Sequence, residues 1–271
     1  CNMGNFLLFI ILLGVALFFL NKVLLKFKTP KIAAVSLVTG GVKTGKTTFA
    51  VNLAIKNYKR NLRSVKIRNF FAKLLRKQQE PLPLLYSNIP LAVPYVPVTR
   101  ELLQRKVRPV YKSVVLLSEA SLVADSQLFK DPALNEVLML FVKLFGHMTK
   151  GGFLIMDTQS TSDLHFAFKR CLSEYFYIHS LSKYLFFNIA NVRECRYSED
   201  GSVLSVDTDD SEEKLKKVLI SRKVWKYFDA YCYSAMTDNL PESKNIKIAK
   251  TLKIKKIPSF RTWMNKELND D

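Results

Sequence analysis

The chain has 271 residues, 48% of them hydrophobic, and a formal charge of +19. That length holds one α/β domain of ordinary size with appendages, and that apolar content excludes a disordered chain. The charge points to an anionic partner, either nucleic acid or the anionic leaflet of a membrane.

Cysteine usage narrows the setting. Cys1, Cys171, Cys195 and Cys232 lie far apart without a C-x-x-C pair, and His147, His165 and His179 are as scattered. Neither a zinc site nor a disulfide framework follows from such spacing, and a reducing cytosol fits it.

In chain order, residues 6–20 form an unbroken apolar run that Val23, Leu24 and Leu25 extend. About 20 apolar residues in a helix cross one bilayer, so the run reads as a membrane anchor, in preference to a cleaved signal peptide or a buried core helix. Lys22, Lys26, Lys28 and Lys31 all follow the run, and the positive-inside rule then places everything after it in the cytoplasm. Met3 reads as the initiator and Cys1-Asn2 as an upstream extension.

Residues 32–39 read as a buried strand, and residues 47–58 as a helix. Between them stand Gly40, Gly41, Val42, Lys43, Thr44, Gly45, Lys46 and Thr47, an ungapped match to G-x-x-x-x-G-K-[ST] in the strand–loop–helix setting that the motif requires. The glycines let backbone N–H groups and the helix N-terminus face phosphate, with Thr48 next in line. Lys46 reaches the β- and γ-phosphates, and Thr47 offers its hydroxyl to Mg²⁺. ATP and Mg²⁺ are therefore the expected ligands.

Residues 56–77 are a strongly basic and amphipathic helical region, with Lys59, Arg63, Lys66 and Lys73 among Leu62, Val65, Phe70, Phe71 and Leu74. This is either a solvated helix face or a surface that meets DNA or membrane. Residues 84–89 suggest a second strand, and Pro90, Pro94 and Pro97 then rule out a central strand in favour of a loop with edges. Val114 to Leu117 is a short buried strand that ends in Ser118 and Glu119, where a P-loop protein keeps its second acidic motif. After a helix over residues 135–148, Phe153 to Met156 reads as another buried strand, closed by Asp157, Thr158 and Gln159. Polar residues there face a ligand bound outside the carboxyl ends of a parallel sheet. Asp157 and Asp125 stand behind Glu119 as further acids.

Several of these segments, GGVKTGKTT, LYSNIP, VVLLSEA and KGGFLIMDTQSTSDLHFAFKRCLSEYFYI, resemble the Zot-type ATPases, the zonula occludens toxin and gene I family of filamentous-phage assembly proteins. The resemblance spans about residues 33–196. It implies a RecA-like P-loop NTPase of the additional-strand type: an α/β fold with a mostly parallel sheet, preceded here by one N-terminal transmembrane helix. It also implies a catalytic set of Glu119 as the carboxylate, Lys46, and Gln159 as a γ-phosphate sensor, in an inner-membrane protein that helps to extrude virions. The family has Asp-Glu where this chain has Ser118-Glu119, leaving Ser118 with Thr47 as the metal-side pair, Ser118 acting through a Mg²⁺-bound water. Its better-known members carry their span after the ATPase domain, not before it.

Beyond this core, residues 184–192 suggest one more strand, residues 199–213 an acidic loop or hairpin tip, residues 224–235 a helix-compatible aromatic segment, and residues 244–256 a basic tail. The expected organisation is an anchor over 1–28, an ATPase core over 29–197, an acidic loop and helical extension over 198–240 and a tail over 241–271. Expected partners are the membrane, further copies of the chain, and phage single-stranded DNA or coat proteins met by basic surfaces. Two other classes stay open: a P-loop kinase acting on a small molecule, and a non-hydrolysing nucleotide-binding scaffold at the membrane. A partition-type ATPase fits less well, because its extra lysine would stand where this chain has Gly41.

Overall fold

The computed structural model describes residues 10–15, 30, 32–122, 132–160, 164, 169, 171–184, 187–197, 203–205 and 215–228. Among the described residues no helix is long and apolar enough to cross a membrane. Most of the run at 6–20 and all of the tail at 241–271 lie outside them. Residues 10–15 are helical, with Ile10, Leu12 and Val15 exposed.

The described strands form one sheet: β1 (Val35–Gly40), β2 (Leu85–Ser87), β3 (Val96–Pro97), β4 (Val114–Leu117), β5 (Phe153–Thr158), β6 (Glu174–Lys183), β7 (Phe187–Tyr197), β8 (Val203–Ser205) and β9 (Lys216–Ser221). Their order is β3-β2-β4-β5-β1-β6-β7-β8, with β9 also on β7. From β3 to β6 every pairing is parallel. The pairings of β7 with β6, β8 and β9 are antiparallel. The sheet is therefore mostly parallel, and β5 separates the loop-bearing β1 from β4.

Both faces of the parallel part are covered, which explains its near-continuous apolar runs. On one face, helix α1 (Lys46–Leu74) packs Phe49, Leu53 and Ala54 against Val38, Leu116, Ile155 and Phe176. On the other, the short helix α2 (Arg100–Leu103) and α3 (Pro132–Thr149) close over Leu37, Val115, Leu154 and Met156 through Leu102, Phe141 and Phe145. Successive residues of each strand thus serve opposite layers.

The helix expected over 47–58 and the amphipathic helical stretch expected over 56–77 are one rod, α1, of 29 residues. No glycine or proline interrupts it. It ends where Arg76 turns to φ 53°, with Lys77 N–H donating to Ala72 C=O at 2.8 Å and Arg76 N–H to Lys73 C=O at 3.2 Å, the paired closure of a Schellman motif. The returning chain is then clasped, since the Asn69 amide exchanges two hydrogen bonds with the backbone of Glu80 at 2.7 and 2.8 Å.

The C-terminal half departs most from expectation. The strand expected over residues 184–192 is β7, which starts at Phe187, runs on to Tyr197 and pairs antiparallel with the long β6. Within the acidic stretch the described residues form β8, paired antiparallel with β7. Within the expected extension at 198–240, β9 extends the same sheet, and Arg222–Lys226 makes a 3-10 turn, not an α-helix, over the described part of the segment. Apolar Val218 and Ile220 are buried beneath α1, which is why the sheet continues past residue 197.

Candidate functional site

The phosphate-binding motif folds as its sequence requires. β1 ends at Gly40, the loop turns back on itself as Thr44 Oγ1 donates to Gly41 C=O at 2.9 Å, and α1 starts at Lys46. Lys43 (φ 62°) and Gly45 (φ 91°) both take left-handed backbone, the alternation that turns successive N–H groups toward one concavity. A side chain at Gly40 would lie 2.6 Å from Thr44 Oγ1 and 2.7 Å from Ile178 C=O, and one at Gly45 would lie 2.7 Å from Leu181 Cδ2. The loop is thus wedged against β6, with no room for a Cβ at either glycine. Val42 stands out at 71% exposure and Gly41 and Lys43 are exposed, whereas Thr44 and Thr47 are half-buried and Thr48 is buried.

Lys46 is itself buried, and its Nζ lies 3.6 Å from Glu119 Oε1. Glu119 follows β4 with φ 49°, an unusual conformation for a residue with a Cβ. Asp157 supports it: at the end of β5 its carboxylate accepts the Glu119 backbone N–H at 2.8 Å and the Ser118 hydroxyl at 3.1 and 3.2 Å. Asp157 is fully buried, and burial pushes its carboxyl up to about 6, with the neighbouring Glu119 charge adding to the rise and Ser118, Glu119 N–H and Lys46 opposing it.

Asn88, just past β2, completes the set. Its side chain donates to Ser118 C=O at 2.8 Å and accepts from Ser118 N–H at 2.7 Å. The carboxyl ends of β2, β4 and β5 are therefore stitched side by side around the Ser118-Glu119 peptide, facing the phosphate loop. In the sequence Asn88 stands out only as part of a resembling segment, and Asp157 as a polar strand end and a further acid behind Glu119, not as the partner of Ser118. Their roles depend on the parallel register that aligns Leu117 with Met156, and so Ser118 with Asp157.

Gln159 lies just past β5 and is exposed, at the ligand-facing edge of the sheet. Asp125 lies outside the described residues. Among the described residues no group of three or more acids, histidines or cysteines forms a metal cage. The donor set near the loop is hard oxygen: the Thr47 hydroxyl, and the Ser118 hydroxyl backed by the Asp157 carboxylate. That set suits Mg²⁺ held chiefly by phosphate oxygens and water, with few protein ligands. Ser118 spends its proton on Asp157 and keeps lone pairs to accept from an ion-bound water.

Strand, loop and helix, together with the strand order, define an α/β fold of the P-loop type. No family model matches this chain, and no curated protein does. Among solved structures it is similar to the N-terminal domain of zonular occludens toxin from Neisseria meningitidis, with 15% identity, 73% of this chain and 100% of that chain covered, and a TM-score of 0.45. It is also similar to the genome packaging NTPase B204 from Sulfolobus turreted icosahedral virus 2 in complex with ATP-gammaS, with 11% identity, 68% and 97% coverage and a TM-score of 0.34.

Proposed function

We propose that this chain is a membrane-anchored ATPase that powers assembly and extrusion of a filamentous phage. The observation that carries the catalytic reading is the 3.6 Å approach of Glu119 to Lys46 across the intervening β5. A lysine that grips phosphate and an acid at the same point are what hydrolysis needs: Glu119 accepts the proton of a water aligned with the γ-phosphate, while Lys46 and the loop N–H groups hold the charge that develops. Thr47 and Ser118 are the residues that would hold Mg²⁺ with its waters, and the ion would neutralise phosphate charge. Asp157 and Asn88 fix the peptide that carries Glu119.

The extrusion role, the inner-membrane location with the ATPase domain in the cytoplasm, self-assembly, and contact with phage DNA or coat proteins rest on the motif resemblance and on the apolar run at 6–20 with its trailing lysines. The test is ATP turnover by the full chain on membranes, with and without small-molecule acceptors and single-stranded DNA. Phosphate release without an acceptor supports the motor, transfer to an acceptor a kinase. Binding without turnover supports a scaffold, the reading favoured by a neutral Ser118 where an acid would strengthen metal binding.

A further inference from the structure

The far half of α1 serves nothing in the nucleotide site. Asn61 Nδ2 donates to Lys112 C=O at 2.7 Å and to Gly151 C=O at 3.3 Å, the residues leading into β4 and β5, so beyond Asn61 the helix runs on past the amino ends of these strands. That edge lies opposite the phosphate loop, and it is also where the chain enters β1. Whatever precedes Pro30 joins the fold at this end.

On this overhang Ile67, Phe70, Phe71 and Leu74, with Leu75 at the cap, are 52–71% exposed. Their spacing of three and four puts them in one stripe, on the side away from buried Val65. Arg63, Lys66 and Lys73 border the stripe and are exposed, and a shallow groove is lined by Lys59, Arg63 and Lys66 with Leu62, Ile67 and Phe70. There is no acidic residue from Lys46 to Gln79. The first one, Glu80, is consumed by Arg68 at 2.8 Å and Lys112 at 2.5 Å.

We propose that the α1 overhang is a membrane-surface element that lays Ile67, Phe70, Phe71 and Leu74 into an anionic lipid leaflet. Exposed aromatic and aliphatic groups bordered by lysine and arginine, with no acid, match the apolar interior and negative headgroups of such a leaflet. A nucleic acid would satisfy the cations and leave Ile67, Leu74 and Leu75 in water. A second copy of the overhang would bring two uniformly positive surfaces together. The overhang lies at the amino end of the parallel strands, opposite the phosphate loop, so lipid met by the stripe lies at the end away from the nucleotide site. The proposal rests on neither hydrolysis nor insertion of residues 6–20.

A photo-crosslinking side chain at Phe71 tests it in the full chain, reconstituted with vesicles of phosphatidylcholine alone or mixed with phosphatidylglycerol, and with single-stranded DNA added. The expected result is lipid adducts at Phe71 that need phosphatidylglycerol, none from the same probe at exposed Lys217, and a loss of at least ~10-fold in the combined variant R63E, K66E and K73E. ATP binding by that variant stays at the parental level, which separates this test from that of the nucleotide site. Adducts to DNA or to a second copy, adducts equal in neutral lipid, or none at all would overturn the proposal.

Discussion

Asp157 holds Glu119 by its backbone: the carboxylate at the end of β5 accepts the N–H of the acid at the end of β4 at 2.8 Å. The candidate base is thus positioned by a second, fully buried acid. Each has a separate consequence.

Ionising Asp157 inside the fold is costly. Its folded value of about 6 lies above the ordinary 3.8, so the native state binds more protons between these values and stability falls as pH rises through that window. Without nucleotide or metal, Asp157→Asn should gain ~1–3 kcal/mol at pH 8 over the parent and flatten the pH dependence between 4 and 6. Denaturant melts at several pH values measure both. An unchanged slope would mean that Asp157 does not titrate in this range.

Ser118→Asp tests whether the carboxylate has moved one strand over. The new acid would face Asp157 within hydrogen-bond distance, both buried, and should destabilise the fold by ~2–4 kcal/mol at pH 8. Adding Asp157→Ser, which exchanges the two residues, should recover most of that loss and strengthen Mg²⁺-dependent nucleotide binding. Calorimetric titration with and without Mg²⁺ decides it.

Lys46→Ala should lower ATP affinity at least ~10-fold with the fold intact, because a charge-assisted phosphate contact is lost. Glu119→Gln should bind as tightly as the parent and turn over at least ~100-fold more slowly, the size of a lost general base. Equilibrium binding and phosphate release on the same preparations separate the two. Parental turnover by Glu119→Gln would shift the assignment to Asp157.

At Gly45 the backbone and the neighbour both resist a side chain. Gly45→Ala should cost ~1–3 kcal/mol, partly from φ 91° and partly from contact at 2.7 Å with Leu181. Combined with Leu181→Ala it should show a favourable coupling of ~1 kcal/mol, since the steric part vanishes and the backbone part remains. A four-variant melting cycle reads the coupling, and simple additivity would remove Leu181 from the explanation.

Elements whose cause is local were legible in the sequence. The phosphate loop needs glycines at fixed offsets, and β4 and β5 are short apolar runs buried on both faces. What escaped was set by tertiary partners. β6 places exposed Tyr177 and His179 between and after buried Tyr175, Phe176 and Ile178 and ends in polar Ser180, Ser182 and Lys183, so no apolar run spans its length. β9 opens with two exposed lysines and is a strand because β7 offers it an edge. The pairing of Asp157 with Ser118 needs the β4–β5 register, and nothing in either segment alone specifies it. Helix α1 was divided by composition, but its backbone has no reason to stop before Arg76.

The unbroken run of α1 from phosphate loop to exposed tip has a mechanical meaning. At 29 residues it is a rod about 43 Å long, wedged at the loop end where Gly45 meets Leu181, tied to the sheet at Asn61 and clasped at the far end by Asn69 and Glu80. The phosphate loop and the exposed tip are therefore two ends of one stiff element, held at a fixed distance and angle across the molecule.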